Sequence, residues 1–153
     1  MTTGALDPAR AGSCLSESVS ATLAEMAFVD AIALPQGVAS PGSGGPVATI
    51  DVLAPLSLRI ELGFSDALRA RIVSTLFAGE AAPGGAAGDA ILEILNVIAG
   101  SFLSLYFGPG TPVSLSLPRY LRGAEAGEPV ASVEFDAEGE RASASVLSVR
   151  YRY

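Results

Sequence analysis

The sequence predicts an α+β domain in which long helices pack on a mainly antiparallel sheet. Two long stretches repeat apolar residues at helical spacing, and several shorter runs alternate apolar with polar residues. Half of the 153 residues are hydrophobic and only 16% are charged. That composition folds rather than staying disordered, and this length fills one core.

Residues 1–14 read as a flexible N-terminal tail and 15–153 as a single domain. Ser16 caps a first helix that runs to about Leu34, with Val19, Leu23, Met26, Ala27 and Ile32 on its apolar face; Pro35 stops it. The Pro/Gly/Ser stretch "PQGVASPGSGGP", 35–46, is a loop. In "VATIDVLAPLSLRIELGF", Ile50 and Val52 alternate with Thr49, Asp51 and Leu53. Leu56, Leu58, Ile60 and Leu62 then alternate with Ser57, Arg59 and Glu61, giving two strands. Ser65 caps a short second helix with Leu68, Ile72 and Leu76 on one face, ended by Gly79.

"EAAPGGAAG", 80–88, connects to a third helix from about Asp89 to Phe107, closed by "GPG". Val113, Leu115 and Leu117 then alternate with Ser114 and Ser116 in a strand terminated by Pro118. A final hairpin pairs Val130–Phe135 with Arg141–Tyr153 about a turn at Glu138-Gly139. The expected order is α-β-β-α-α-β-β-β. "ATLAEMAFVDA" and "AILEILNVIAG" overlay with Glu25 on Glu93 and Phe28 on Asn96, a hint of internal duplication.

Residue types narrow the chemistry further. There is no His, so Ser-His-Asp triads, Cys-His pairs and His-ligated metals within the chain are excluded. A single Cys, Cys14, excludes an internal disulfide and a Cys-rich zinc site, and reads as a small buried or tail residue. Nine Arg, no Lys and sixteen acids give a net charge of −7, which disfavours a nucleic-acid surface. "MTTGALDPARAGSC" lacks the basic and apolar regions of a signal peptide. Residues 90–107 barely reach membrane-spanning length and carry Glu93 near their middle, at an insertion cost of about 2.5–3.5 kcal/mol. The third helix is therefore expected to be a core helix of a soluble, cytoplasmic protein.

That helix carries one polar line. Asp89, Glu93, Asn96, Gly100 and Ser104 follow each other at steps of three or four residues, so they share a side, while Ile91, Ile94, Leu95 and Ile98 lie elsewhere. The line reads either as a solvated seam or as a site, and Asp89 reads either as a site member or as the helix N-cap. Asn96 is the only Asn in the chain and a poor helix former. Gly100 costs about 1 kcal/mol relative to Ala in a helix interior and leaves a gap beside Asn96. An amide can orient a water but cannot act as a strong base, and a carboxylate can pair with a cation. The set suits hydrolysis of an already activated bond, where positioning supplies most of the acceleration.

"D-AIL-E-IL-N", followed about twenty residues later by Pro118 in "SLSLPRYLRG", resembles the signature of the CheC/CheX/FliY chemotaxis phosphatases. "EILNVIAG" and "SLPRYLRG" look most like CheX. The resemblance implies a CheX/CheC-like fold and hydrolysis of the aspartyl phosphate of a CheY-like response regulator. It places Asn96 as the residue that orients the attacking water and Glu93 as the acid that pairs with the regulator's active-site Lys. Asp89 falls at the first motif position, and Pro118 is implied to be structural. No cofactor is expected in this chain, because Mg²⁺ would belong to the regulator. Phe28, where a second catalytic Asn would sit, argues for one site per chain.

Two other functions fit the same residues. One is a non-catalytic CheX-like adaptor that binds a regulator or a flagellar-switch protein. The other is an oligomerising domain with the polar line at a subunit interface. The last strand alternates Leu147, Val149, Tyr151 and Tyr153 with Ser148, Arg150 and Arg152, so at a sheet edge it could pair with another chain. The resemblance also implies a homodimer. Neither nucleic acid nor membrane is expected as a partner.

Overall fold

Leu58, Ile60, Leu62 and Phe64 leave one strand on the same side, and all four are buried. In the computed structural model, which describes residues 6–35, 46–122, 125 and 127–150, this strand is β3 (Leu58–Phe64) and lies inside a seven-stranded sheet. The others are β1 (Ala31–Ala33), β2 (Val47–Ala54), β4 (Ser114–Leu115), β5 (Arg119–Tyr120), β6 (Glu128–Ala137) and β7 (Glu140–Ser148). The order is β1-β6-β7-β3-β2-β4, with β5 also on β2, and every ladder is antiparallel.

Three helices, α1 (Pro8–Ala27), α2 (Asp66–Leu76) and α3 (Ala86–Phe107), contact one another and lie on one face of the sheet. Period-two alternation decides which residues meet them. Ala48, Ile50 and Val52 of β2, and Ala142, Ala144 and Val146 of β7, are buried in that layer. Burying each large side chain contributes roughly 1.5–3 kcal/mol. The other face carries Asp51, Arg59, Glu61, Ser143 and Ser145, aligned across β2, β3 and β7 by their register. The α+β architecture with helices on a mainly antiparallel sheet is as the sequence predicts.

Several boundaries differ. Residues 8–14 are helical, so the expected 1–14 tail is not a tail there. Asp7 accepts from the Ala9 N–H at 3.1 Å as N-cap and Pro8 occupies the first turn, a strong start signal, while Ala11 and Leu15 extend the buried face. The helix ends at Ala27 rather than Leu34. Phe28 adopts a left-handed conformation (φ 55°), its N–H bonding back to Leu23, and the reversed chain forms the short strand β1. That strand is an addition to the expected order.

The loop expected at 35–46 falls mostly outside the described residues, as do Tyr151 and Tyr153. Ser65 caps α2 as expected, accepting from Leu68 N–H at 3.1 Å. Glu138 and Gly139 both have positive φ, the backbone needed by a two-residue hairpin turn. The strand before Pro118 is shorter than the alternation suggests. β4 stops at Leu115, β2 bulges opposite it between Val52 and Ala54, and the chain rejoins β2 as β5. Val113 and Leu117, which fall outside these two short strands, are 45% and 87% exposed. β7 runs between β6 and β3, so it is not an edge, and edge-to-edge pairing through the last strand has no free ladder there.

Candidate functional site

Seven residues of α3, from Ile91 to Leu103, are buried against α1, α2 and β2. The helix is long and apolar enough to cross a membrane, but its oily faces are spent on packing inside the fold. Both of its ends are clamped. Near its start, Tyr120 Oη donates to the Gly88 carbonyl at 2.8 Å, and Arg69 stacks over the Tyr120 ring at 5.7 Å. A Cβ on Gly88 would lie 3.5 Å from that hydroxyl, an ordinary contact, so this side of the residue faces Tyr120. Near its end, Tyr106 Oη accepts the Asp7 N–H at 2.8 Å, and Arg10 donates to the Tyr106 carbonyl at 2.6 Å.

The start of α3 is thus level with Ala48, the ladder partner of Tyr120. Its end leads through a short connection into β4, opposite Val52 and Ala54. The helix therefore runs parallel to β2. Ala48 to Val52 spans about 13 Å at roughly 3.3 Å per residue. At about 1.5 Å per residue the same length carries the helix from Gly88 to about Val97. Ser116 anchors the intervening edge at mid-β2, donating its N–H to Asp51 O at 2.9 Å and accepting the Asp51 N–H at 2.9 Å.

The sequence-predicted residues fall on this scaffold as follows. Asp89, Glu93 and Ser104 are exposed; Asn96 and Gly100 are half-buried. Among the described residues, none of the Asp89, Glu93 or Asn96 side chains has a hydrogen-bond or ion-pair partner. A Cβ placed on Gly100 would meet nothing within 4 Å, so the gap beside Asn96 is open. Gly88, Leu92 and Asn96 form one i, i+4 row, whose first member meets Tyr120. Asp89, Glu93 and Val97 form the neighbouring row. Pro118, half-buried, lies two residues before Tyr120 on that edge. Asp89 is not the helix cap: Gly85 is, one turn earlier, which leaves Asp89 on the helix body where its charge also suits the N-terminal dipole.

The site is convex. Glu93 and Asn96 line none of the five main clefts among the described residues. The 590 Å³ cleft between α2 and the following connection is lined by Asp66, Arg69, Val73, Glu80 and Ala87, and reaches only the first turn of α3. Among the described residues no group of three or more His, Cys, Asp or Glu converges as a metal site. Burial pushes the Cys14 thiol up, so it is not an activated thiolate.

Charge is concentrated on the other face of the sheet. Arg59, its side chain 6% exposed, pairs with Asp51 at 3.2 Å and with Glu125 at 3.4 Å. Arg119 closes the network with a bidentate contact to Glu125, at 2.7 and 2.8 Å, and a contact to Asp51 at 3.4 Å. The hydrogen bond from Arg119 holds the Glu125 carboxyl below its ordinary range, and Glu125 in turn raises Arg119. Burial pushes Glu61 up despite the nearby Arg59. Adjacent residues thus grip β5 from opposite faces: Arg119 ties it to the charge network, and Tyr120 ties it to the motif helix.

Tyr120 carries no signal in the sequence beyond its nearness to Pro118, and Leu117 continues the alternation of a strand that ends at Leu115.

α3 thus presents an acid, an amide and an open gap, and among the described residues no metal-ligating cluster accompanies them. The chain belongs to the CheX family of chemotaxis phosphatases, whose family model matches residues 46–135, more than half of its length. Solved structures share the fold. A chemotaxis protein CheX from Desulfovibrio desulfuricans superposes with a TM-score of 0.72 at 13% identity, covering 90% of this chain and 99% of that one. CheX from Vibrio vulnificus gives 0.70 at 16% identity, covering 90% and 97%. A chain of the CheX-CheY-BeF3-Mg complex from Borrelia burgdorferi gives 0.66 at 16% identity, covering 91% and 97%. No curated protein matches the sequence.

Proposed function

We propose that this chain hydrolyses the aspartyl phosphate of a CheY-like response regulator. The observation that carries the reading is the α3 stripe: Glu93 exposed and unpaired among the described residues, Asn96 half-buried on the adjacent row, on a helix clamped at both ends. α3 docks on the phosphorylated regulator, and Glu93 pairs with its active-site Lys. The Asn96 amide, a donor and an acceptor on one plane, orients a water in line with the phosphorus. The water oxygen bonds to phosphorus as the bond to the aspartyl oxygen breaks. The products are the regulator's free carboxylate and inorganic phosphate, which keeps one of the water's hydrogens while the other leaves as a proton to solvent.

An acyl phosphate is already activated, so alignment suffices and no strong base is required. Asp89 lies one turn before Glu93 and extends the acidic contact, Gly100 gives clearance, and Pro118 shapes the edge beside Asn96. The Mg²⁺ that neutralises phosphoryl charge belongs to the regulator. The Borrelia complex, in which a CheX is joined to CheY with BeF3 and Mg, supports such a partner. The setting is cytoplasmic, where such regulators act. A homodimer belongs to the proposal too, formed through the helix-free face of the sheet; a sedimentation experiment showing only monomer at micromolar concentration refutes that part.

The test is decay of a phosphorylated regulator. The wild-type chain speeds decay, and Asn96→Ala returns it to the spontaneous rate while keeping the fold. If the wild-type chain leaves decay unchanged for every regulator tried, catalysis is refuted. Complex formation without faster decay identifies an adaptor, and occlusion of the stripe in a homodimer identifies an assembly surface.

A further inference from the structure

We infer that Tyr120 is a positioning residue for docking: its hydroxyl holds the first turn of α3, and through that turn it keeps Asp89 in place for the regulator. This rests on the phosphatase reading above and extends it to a residue outside the motif.

α1 and α2 each begin with a side-chain cap, Asp7 and Ser65. α3 does not. Its N-cap is Gly85, which has no side chain to offer; Gly84 before it has a positive φ of 51°, and Gly88 weakens the first turn further. Core packing does not make up for this. Residues 86–90 are half-buried or exposed, and the first buried side chain of the helix is Ile91, 3% exposed. From there on Ile94, Leu95 and Ile98 lock the helix into the core. Glu93 and Asn96 lie within the locked part, and Asp89 lies before it.

Among the described residues, the one long-range hydrogen bond to this turn comes from Tyr120, whose Oη donates to the Gly88 carbonyl at 2.8 Å. Asp89 is the next residue. The hydroxyl is itself held: Arg69 Nη2 approaches it at 3.5 Å, and the Arg69 guanidinium lies over the ring at 5.7 Å. β5 anchors the other side, because Tyr120 pairs with Ala48 and the neighbouring Arg119 is held by Glu125 and Asp51. Without the hydroxyl the uncapped turn exchanges between formed and frayed states. A partner then meets Asp89 in place only on the formed fraction, and apparent affinity falls by that fraction. Asn96, fixed by the core, keeps its orientation, so the chemical step is unaffected.

The experiment uses the full chain and a regulator whose decay it accelerates, with Tyr120→Phe, Asp89→Asn and the double variant. Tyr120→Phe raises KM about threefold to fivefold, the range of one ordinary hydrogen bond, while kcat at saturation holds. In the Asp89→Asn background the same change has no further effect, because the group that it positions has lost its charge. A role in stability alone leaves KM unmoved below the unfolding temperature. Hydrogen exchange on the chain by itself needs no regulator: Tyr120→Phe speeds exchange of the Asp89 and Ala90 amides, whose acceptors lie at the start of the helix, and leaves Ile94–Leu103 unchanged. An unchanged KM, a loss confined to kcat, equal factors in the two backgrounds, or unchanged exchange at Asp89 and Ala90 overturns the inference and leaves the phosphatase reading standing. Direct titration with regulator loaded with beryllofluoride separates the two readings. If the wild-type chain binds but does not accelerate decay, catalysis is refuted, and weaker binding by Tyr120→Phe that disappears in the Asp89→Asn background still supports the positioning role. If no regulator is bound at all, both are refuted.

Discussion

Replacing Gly100 by alanine adds one methyl group to the docking side of α3, where opposite effects on stability and function are expected. The added Cβ meets no atom within 4 Å, so it neither strains the fold nor fills a void in it. The stability change is then the helix-propensity difference, about 1 kcal/mol in favour of alanine, part of it from the less flexible unfolded chain. For a domain of this size, with an unfolding entropy of about 2.1 cal/mol/K per residue, that is a rise in Tm of about 3 °C. Calorimetry or circular dichroism reads it directly. In the phosphatase assay the same methyl stands one turn beyond Asn96, in the gap proposed to admit the partner, and on that proposal KM for the phosphorylated regulator rises. A variant that is more stable and equally active refutes the clearance role of Gly100. A variant that is less stable refutes the open surroundings on which the estimate depends.

Other consequences follow from the clamps and charges. Tyr120→Phe keeps the ring but removes the donor to the Gly88 carbonyl, costing about 1 kcal/mol; hydrogen exchange at the first turn of α3 becomes faster, while the hairpin of β6 and β7 keeps its protection. Glu61 is raised by burial, so the folded state holds its proton to higher pH than the unfolded chain does, and its contribution falls as pH rises through that window. Glu61→Gln therefore raises Tm at pH 7, and the gain shrinks as pH is lowered below the ordinary carboxylate range. Glu125, held low by Arg119, acts in the opposite sense: its contribution is present at neutral pH and is lost in acid, so Glu125→Gln is the less stable variant at pH 7 and converges on the wild type at low pH.

The parts of this protein that one element can specify were present in the sequence. The periodicity of α3 records which residues share a side, so Asp89, Glu93, Asn96 and Gly100 could be aligned before any neighbour was known. Ser65 capping α2 and Glu138-Gly139 turning the hairpin are likewise local, because the groups involved are within a few residues of one another. What the sequence does not carry is which side of each element meets which neighbour. Phe28 ends α1 in a conformation that costs energy locally and is held by the contacts of the chain around it. β7 lies inside the sheet because both β3 and β6 pair with it, a long-range competition that alternation alone cannot rank. Leu117 keeps a strand's alternation yet is exposed, because the edge that carries it has one residue more between Leu115 and Arg119 than β2 has opposite it. Tyr120 becomes a clamp only when β5 reaches the start of α3. The candidate residue types and their alignment are thus properties of one helix, whereas the clamps at the two ends of that helix arise from contacts between elements far apart in the chain.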